Sequence, residues 1–168
     1  MLDKVSHQSN TKLVSHVDTP GGGQVWVEGT TMYVGHMRPT SGTTIIDVAD
    51  PRAPKVLSQI KVREGWHSHK VRVAGDIMIV NQERFGKNQV GDVGGGIDIY
   101  DVSNPAEPKL ITEWRTKGGG VHRFDFDGRL SQSSLISPQP AAPTVLGRYD
   151  TTFEKPTYCR TQMARVLQ

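Results

Sequence analysis

The sequence predicts an all-β protein built from four-stranded, propeller-type blades, and three observations carry that reading. Glycine and proline supply 28 of 168 residues. That density works against long helices, because proline removes an amide donor and glycine is costly inside a helix. Apolar and polar residues alternate at period 2 in short runs, the pattern of a half-buried strand. The chain also repeats itself. IIDVADPRAPKVLSQIKV (45–62) aligns with IYDVSNPAEPKLITEWRT (99–116), and Asp47, Pro51, Pro54 and Lys55 meet Asp101, Pro105, Pro108 and Lys109 at one offset of 54. VWVEGTTMYVG (25–35) aligns with VRVAGDIMIVN (71–81), Gly29 on Gly75, and VHRFDFDGR (121–129) begins a third copy with Gly128 in the same place. The glycine spacings of 46 and 53 lie near the period of propeller blades.

Each copy reads as four strands in order. In the first, Val25 and Val27 alternate with Gln24, Trp26 and Glu28, and Gly29-Thr30 makes the turn. Met32–Val34 is the second strand and Thr44–Val48 the third. Asp50-Pro51 and Ala53-Pro54 then force a turn, since proline fixes φ and cannot donate to a ladder. Lys55–Ile60 is the outermost strand. The second copy repeats this at Val71–Val73, Ile77–Val80, Gly96–Val102 and Lys109–Trp114. Blade 1 is expected over about 24–62, blade 2 over about 69–116 and the first strand of blade 3 over 121–129. Residues 1–20 form an N-terminal segment.

Composition bounds the function classes. The net charge is +3 with no block of like charges, which gives no footprint for nucleic acid. Cys159 is the single cysteine, so an intrachain disulfide and a cysteine zinc cage are both ruled out. No apolar run approaches the ~18 residues of a membrane helix. MLDKVSHQSN lacks an apolar signal core. The expected location is cytoplasmic, or periplasmic or secreted if the true N-terminus lies further upstream.

The DVxxPxxPK signature at Asp47–Lys55 and Asp101–Lys109, with WHSHKVRVAGDIMIVNQERF (66–85) and GVHRFDFDGR (120–129), resembles the LVIVD-repeat β-propellers of bacteria. The likeness covers roughly residues 12–129 and is similar to an uncharacterised branch of that family. It implies a propeller, with more blades in full-length members. After Arg129 the pattern stops. The stretch 130–168 shows no repeat or period and is expected to be irregular, either a divergent tail or the product of truncation or a frame shift.

Candidate chemistry centres on histidine. His69 lies six residues before Gly75, and His122 six before Gly128. They occupy equivalent sites just ahead of, or on, the innermost strands of consecutive blades. Two imidazoles so placed can converge on one metal ion or one anionic ligand, or can simply line a wet channel. His67 shares a strand face with His69 if both are extended, as a further ligand or a residue at the channel mouth. Trp66, Glu83, Arg84 and Arg123 are candidates for a surrounding ligand-binding surface. Glu83 reads as a carboxylate ligand or base, or, more simply, as an ion pair with Arg84 or Arg123, and Trp66 as packing or ligand-facing. His36 is expected on a blade surface. Asp47 and Asp101 precede VxxP turns and are expected to bond nearby backbone donors. The glycine runs 94–96 and 118–120 lead into strands, not helices, so they are not phosphate loops.

The resulting expectation is a ligand- or protein-binding scaffold with a His-lined metal site. The cofactor would be a divalent transition metal (Zn, Cu or Fe). The alternative is a metal-dependent propeller oxidoreductase or hydrolase whose complete site needs further blades. The expected partner is a small molecule or protein, with no nucleic acid and no membrane span. Open sheet edges favour self-association.

Overall fold

The computed structural model describes residues 10–38, 41–86, 94–116, 118–128, 130–136 and 146–150, the last two segments as backbone strands. Among them there is no helix, and hence none long and apolar enough to cross a membrane. The first module is a four-stranded antiparallel sheet in chain order: β1 (Gly22–Glu28), β2 (Thr31–His36), β3 (Ser41–Asp47) and β4 (Lys55–Lys61). The second begins with a two-residue strand, β5 (Trp66–His67), followed by β6 (Val71–Ala74), β7 (Ile77–Arg84), β8 (Gly96–Asp101) and β9 (Lys109–Arg115). The third starts with β10 (Gly120–Phe126). Two further strands, β11 (Leu130–Ile136) and β12 (Leu146–Asp150), continue it antiparallel. The sequence predicts irregular chain there, and the pairing is what differs: the backbone of β10 supplies a template edge that β11 completes. The rest of the expected tail, Cys159 included, lies outside the described residues. The sheets form no closed ring among the described residues.

The turns follow the repeat. Gly29, Gly75 and Gly128 all take positive φ, at 57°, 57° and 92°, a conformation glycine adopts without steric cost. Asp47 accepts from the amide of Ala49 at 2.9 Å and Asp101 from that of Ser103 at 2.8 Å. These are the same turn bond in two modules, the role expected for both aspartates.

Packing is serial. Tyr33 and Ile45 of the first module, flanked by Trp26 and Ile60, pack on Val71, Val73, Met78, Val80, Tyr100 and Val102 of the second. The opposite face of the second module, with Ile79, Ile97 and Ile99, packs on Val121, Phe124 and Phe126 of β10. Strand β7 serves both cores because successive side chains point to opposite faces. Met78 and Val80 enter one core and Ile79 the other. Each such fully buried aliphatic contributes about 1.5–3 kcal/mol.

Beyond Val80, β7 outruns its blade. Its first half pairs with β6, and its last two residues pair with β5, Trp66 opposite Arg84 and His67 opposite Glu83. Glu83 also pairs with Gly120, the point where β10 joins. All three modules carry one extra residue on the first strand near this level. It falls between Gly22 and Val25, between His67 and Val71, and between Val121 and Arg123. Such irregularities re-aim side chains and are frequent beside functional sites.

At the junction, Gly120 has φ 105°, and a Cβ there would collide with the Gln82 carbonyl oxygen. At Gly75 the φ is 57° and nothing lies within 4 Å. Gly75→Ala is therefore expected to cost about 1–2 kcal/mol, the left-handed penalty alone. Gly120→Ala should cost clearly more, because a backbone collision is added. Urea unfolding of the two variants checks this, and equal losses would contradict it.

Candidate metal centre

The junction brings His67, His69, Glu83 and His122 together. The main chain of the first module seats the histidine segment. The His36 amide donates to Ser68 O at 2.8 Å, and the Gln24 amide to His69 O at 3.0 Å. His67 Nδ1 donates to the Met37 carbonyl at 3.0 Å. A carbonyl only accepts, so Nδ1 holds the proton and Nε2 of a neutral ring presents a lone pair. That Nε2 is buried and lies 3.1 Å from Glu83 Oε2, yet off the line of any hydrogen bond.

His69 is fixed the same way. Asn81 accepts the Lys70 amide at 2.8 Å through Oδ1, which orients its amide group. Its Nδ2 then donates to Val121 O at 2.9 Å and faces His69 Nδ1 at 3.4 Å. A donor pointing at Nδ1 marks that nitrogen as an acceptor. His69 Nδ1 lies 3.5 Å from the same Glu83 Oε2. His67, His69 and Glu83 are all buried, and each offers a ligand atom within 4.8 Å of the others. They are the one such trio among the described residues. Ligands bonded at about 2.1 Å, at angles between octahedral and tetrahedral, stand about 3.0–3.4 Å apart. The two short separations at Glu83 Oε2 lie close to that interval.

His122 approaches from the third module. It is the extra residue of the β10 bulge, and its Nδ1 donates to both Glu83 oxygens, at 3.1 and 3.0 Å. Its ring centroid is 5.2 Å from that of His69, which in turn is 4.6 Å from that of His67. The repeat-equivalent imidazoles therefore do face each other across the seam. The side chain of His122 is 46 % exposed, against 9 % for Glu83, so the cluster is buried at Glu83 and reaches solvent at His122.

Electrostatics favours ligation. Burial, with His67 as a like-charged neighbour, pushes His69 down to about 4, so its ring is neutral at neutral pH. Burial opposes the Glu83 charge, but the adjoining His67 and His122 imidazoles outweigh it and hold the carboxyl below its usual range. The ionised Glu83 carboxylate and the neutral His69 ring are thus in the protonation states a metal ligand requires.

The other expected residues fall differently. Glu83 faces the three histidines and not Arg84 or Arg123, because residues 81 and 83 share the β7 face turned toward β10. Trp66 is 1 % exposed, with the Arg63 guanidinium 4.4 Å from its ring centroid, and is packed in the interior. Arg84 donates its amide to Gly119 O at 2.8 Å, while its Nε is buried without a partner. Arg123 lies exposed on β10. His36 is fully buried, not on a blade surface. It donates from Nδ1 to Pro20 O at 3.0 Å and accepts from Thr44 at 2.8 Å. Asn81 carries no signal of its own in the sequence, because its period-2 relation to Glu83 is visible only once β7 is known to run through Arg84.

Antiparallel blade modules stacked face to face in series define a repeat scaffold of the propeller type. Residues 89–116, which include β8 and β9, match the family model of the LVIVD repeat, so the chain carries an LVIVD repeat. No curated protein matches the chain.

A neutral His69 in the folded state fixes a pH dependence. The unfolded chain takes up a proton near 6.5 and the native site only near 4, so the unfolded state binds more protons between these values. Stability is then full above 6.5 and falls as pH drops toward 4. Thermal unfolding of the metal-free protein across this range should show the decline. His69→Gln should flatten it, and an unchanged profile would contradict the assignment.

Proposed function

We propose that this chain is a propeller-type scaffold that binds a divalent transition metal through His67, His69 and Glu83. One observation carries the reading: His67, His69 and Glu83 are buried side by side, and each offers a ligand atom within 4.8 Å of the others. A cation placed among these buried polar atoms would offset the cost of burying them together. Two imidazoles and a carboxylate suit Zn(II) or Fe(II). The donor set contains no thiolate or thioether, so Cu(I) is disfavoured.

The enzymatic reading draws support from the ligand count. Three protein ligands leave coordination positions free, as catalytic and not structural zinc sites do, and the open side at His122 gives solvent a path to them. A bound ion would act there as a Lewis acid. The chain's own residues hold the three donors in place and exclude water from the buried side.

Zinc binding tests the proposal. Isothermal titration of the chelator-treated protein with Zn(II) should give one site per chain. Glu83→Gln and His67→Ala should each abolish or greatly weaken it. Saturation at 100 times Kd should add about 2.7 kcal/mol of stability. No heat of binding and no shift in Tm would overturn the reading.

A further inference from the structure

We infer that His122 is the positioning residue of the Glu83 carboxylate, so that metal binding and docking of the third module strengthen each other. The inference rests on the metal reading above and adds a role for a residue outside the ligand trio. Four observations meet here. His122 is the extra residue of a bulge, which turns its ring toward the seam. Its Nδ1 is shared between both Glu83 oxygens, the arrangement of a donor that orients a carboxylate. Glu83 Oε2 still faces His67 and His69 while this bond is made, so no movement of His122 is needed for the ion to enter. Asn81 ties the histidine segment to β10 independently of the ion, its Oδ1 accepting the Lys70 amide and its Nδ2 donating to the Val121 carbonyl.

The His122 bond runs from a metal ligand to β10. The remaining polar links across that join include the Glu83–Gly120 ladder pair, the Arg84 amide on Gly119 O and the Arg72–Asp125 pair at 3.0 Å. An ion that fixes Glu83 in one rotamer removes part of the ordering cost of the His122 bond. By reciprocity, whatever factor His122 adds to metal affinity, the metal adds to β10 docking. Partners that orient metal ligands in this way typically account for 10–100-fold in affinity.

Two variants and two readouts test it. Asparagine places an amide donor near the Nδ1 position and has nothing at Nε2. The Zn(II) affinity should fall 10–100-fold in His122→Ala and stay close to wild type in His122→Asn. Hydrogen exchange of the β10 amides should slow when Zn(II) is added to wild type and to His122→Asn. The protection should be smaller in His122→Ala by the same factor as its affinity loss. Circular dichroism of the metal-free variants establishes that each is folded. If His122→Asn is as weak as His122→Ala, the imidazole is itself a ligand and the positioning role is overturned. If His122→Ala binds like wild type, or if β10 exchange ignores the metal, the coupling is overturned while the metal site stands. Absence of Zn(II) binding by wild type overturns both readings.

Discussion

A single buried carboxylate at the seam of three modules is the constraint around which this structure is arranged. Glu83 is on a strand that extends past its own blade, and it meets imidazoles from both sides of the join. Burying an ionised carboxylate is expensive unless it is paired. Here the pairing comes from His122, and a nitrogen of His67 and one of His69 lie 3.1 and 3.5 Å from the same oxygen. The protein thus holds a negative charge and three imidazoles together at one seam, and the proposed metal site rests on that arrangement.

The scaffold makes this placement affordable. Two aliphatic cores, one on each face of the second module, fix β7 from both sides, and the site begins where those cores end. Met78, Ile79 and Val80 are fully buried, while Asn81, Gln82 and Glu83, the next residues, are buried and polar. Gln82 donates to Asp98 at 2.7 Å, and Arg115 pairs with the same carboxylate at 2.5 Å. This second buried acid is thereby satisfied by a cation and an amide on the other side of the strand. Asp98 has a cationic partner and Glu83 has imidazoles, which is the chemical difference between a structural ion pair and the proposed metal site.

Much of this was legible in the sequence, and for a physical reason. Repeats fix which residues are equivalent, so the offsets of Gly29, Gly75 and Gly128 placed the strands, and the matching positions of His69 and His122 placed two rings at one seam. The aspartate turns followed from the same arithmetic. What the sequence did not show is side-chain direction at the end of a strand. Glu83 next to Arg84 reads as an ion pair until pairing with His67 and Gly120 fixes which face it occupies. His36 reads as surface until the Pro20 carbonyl and Thr44 hydroxyl enclose it. The strands at 130–136 and 146–150 carry no apolar period, and backbone pairing with β10 supplied what the side chains do not announce.

The most direct measurement is a crystal structure of the zinc-loaded protein with anomalous diffraction recorded at the zinc edge. The account predicts one strong peak bonded at about 2.0–2.2 Å to His67 Nε2, His69 Nδ1 and a Glu83 oxygen, with His122 Nδ1 still on the carboxylate. A peak elsewhere, or a His67 ring whose Nε2 is turned away from Glu83, would contradict it.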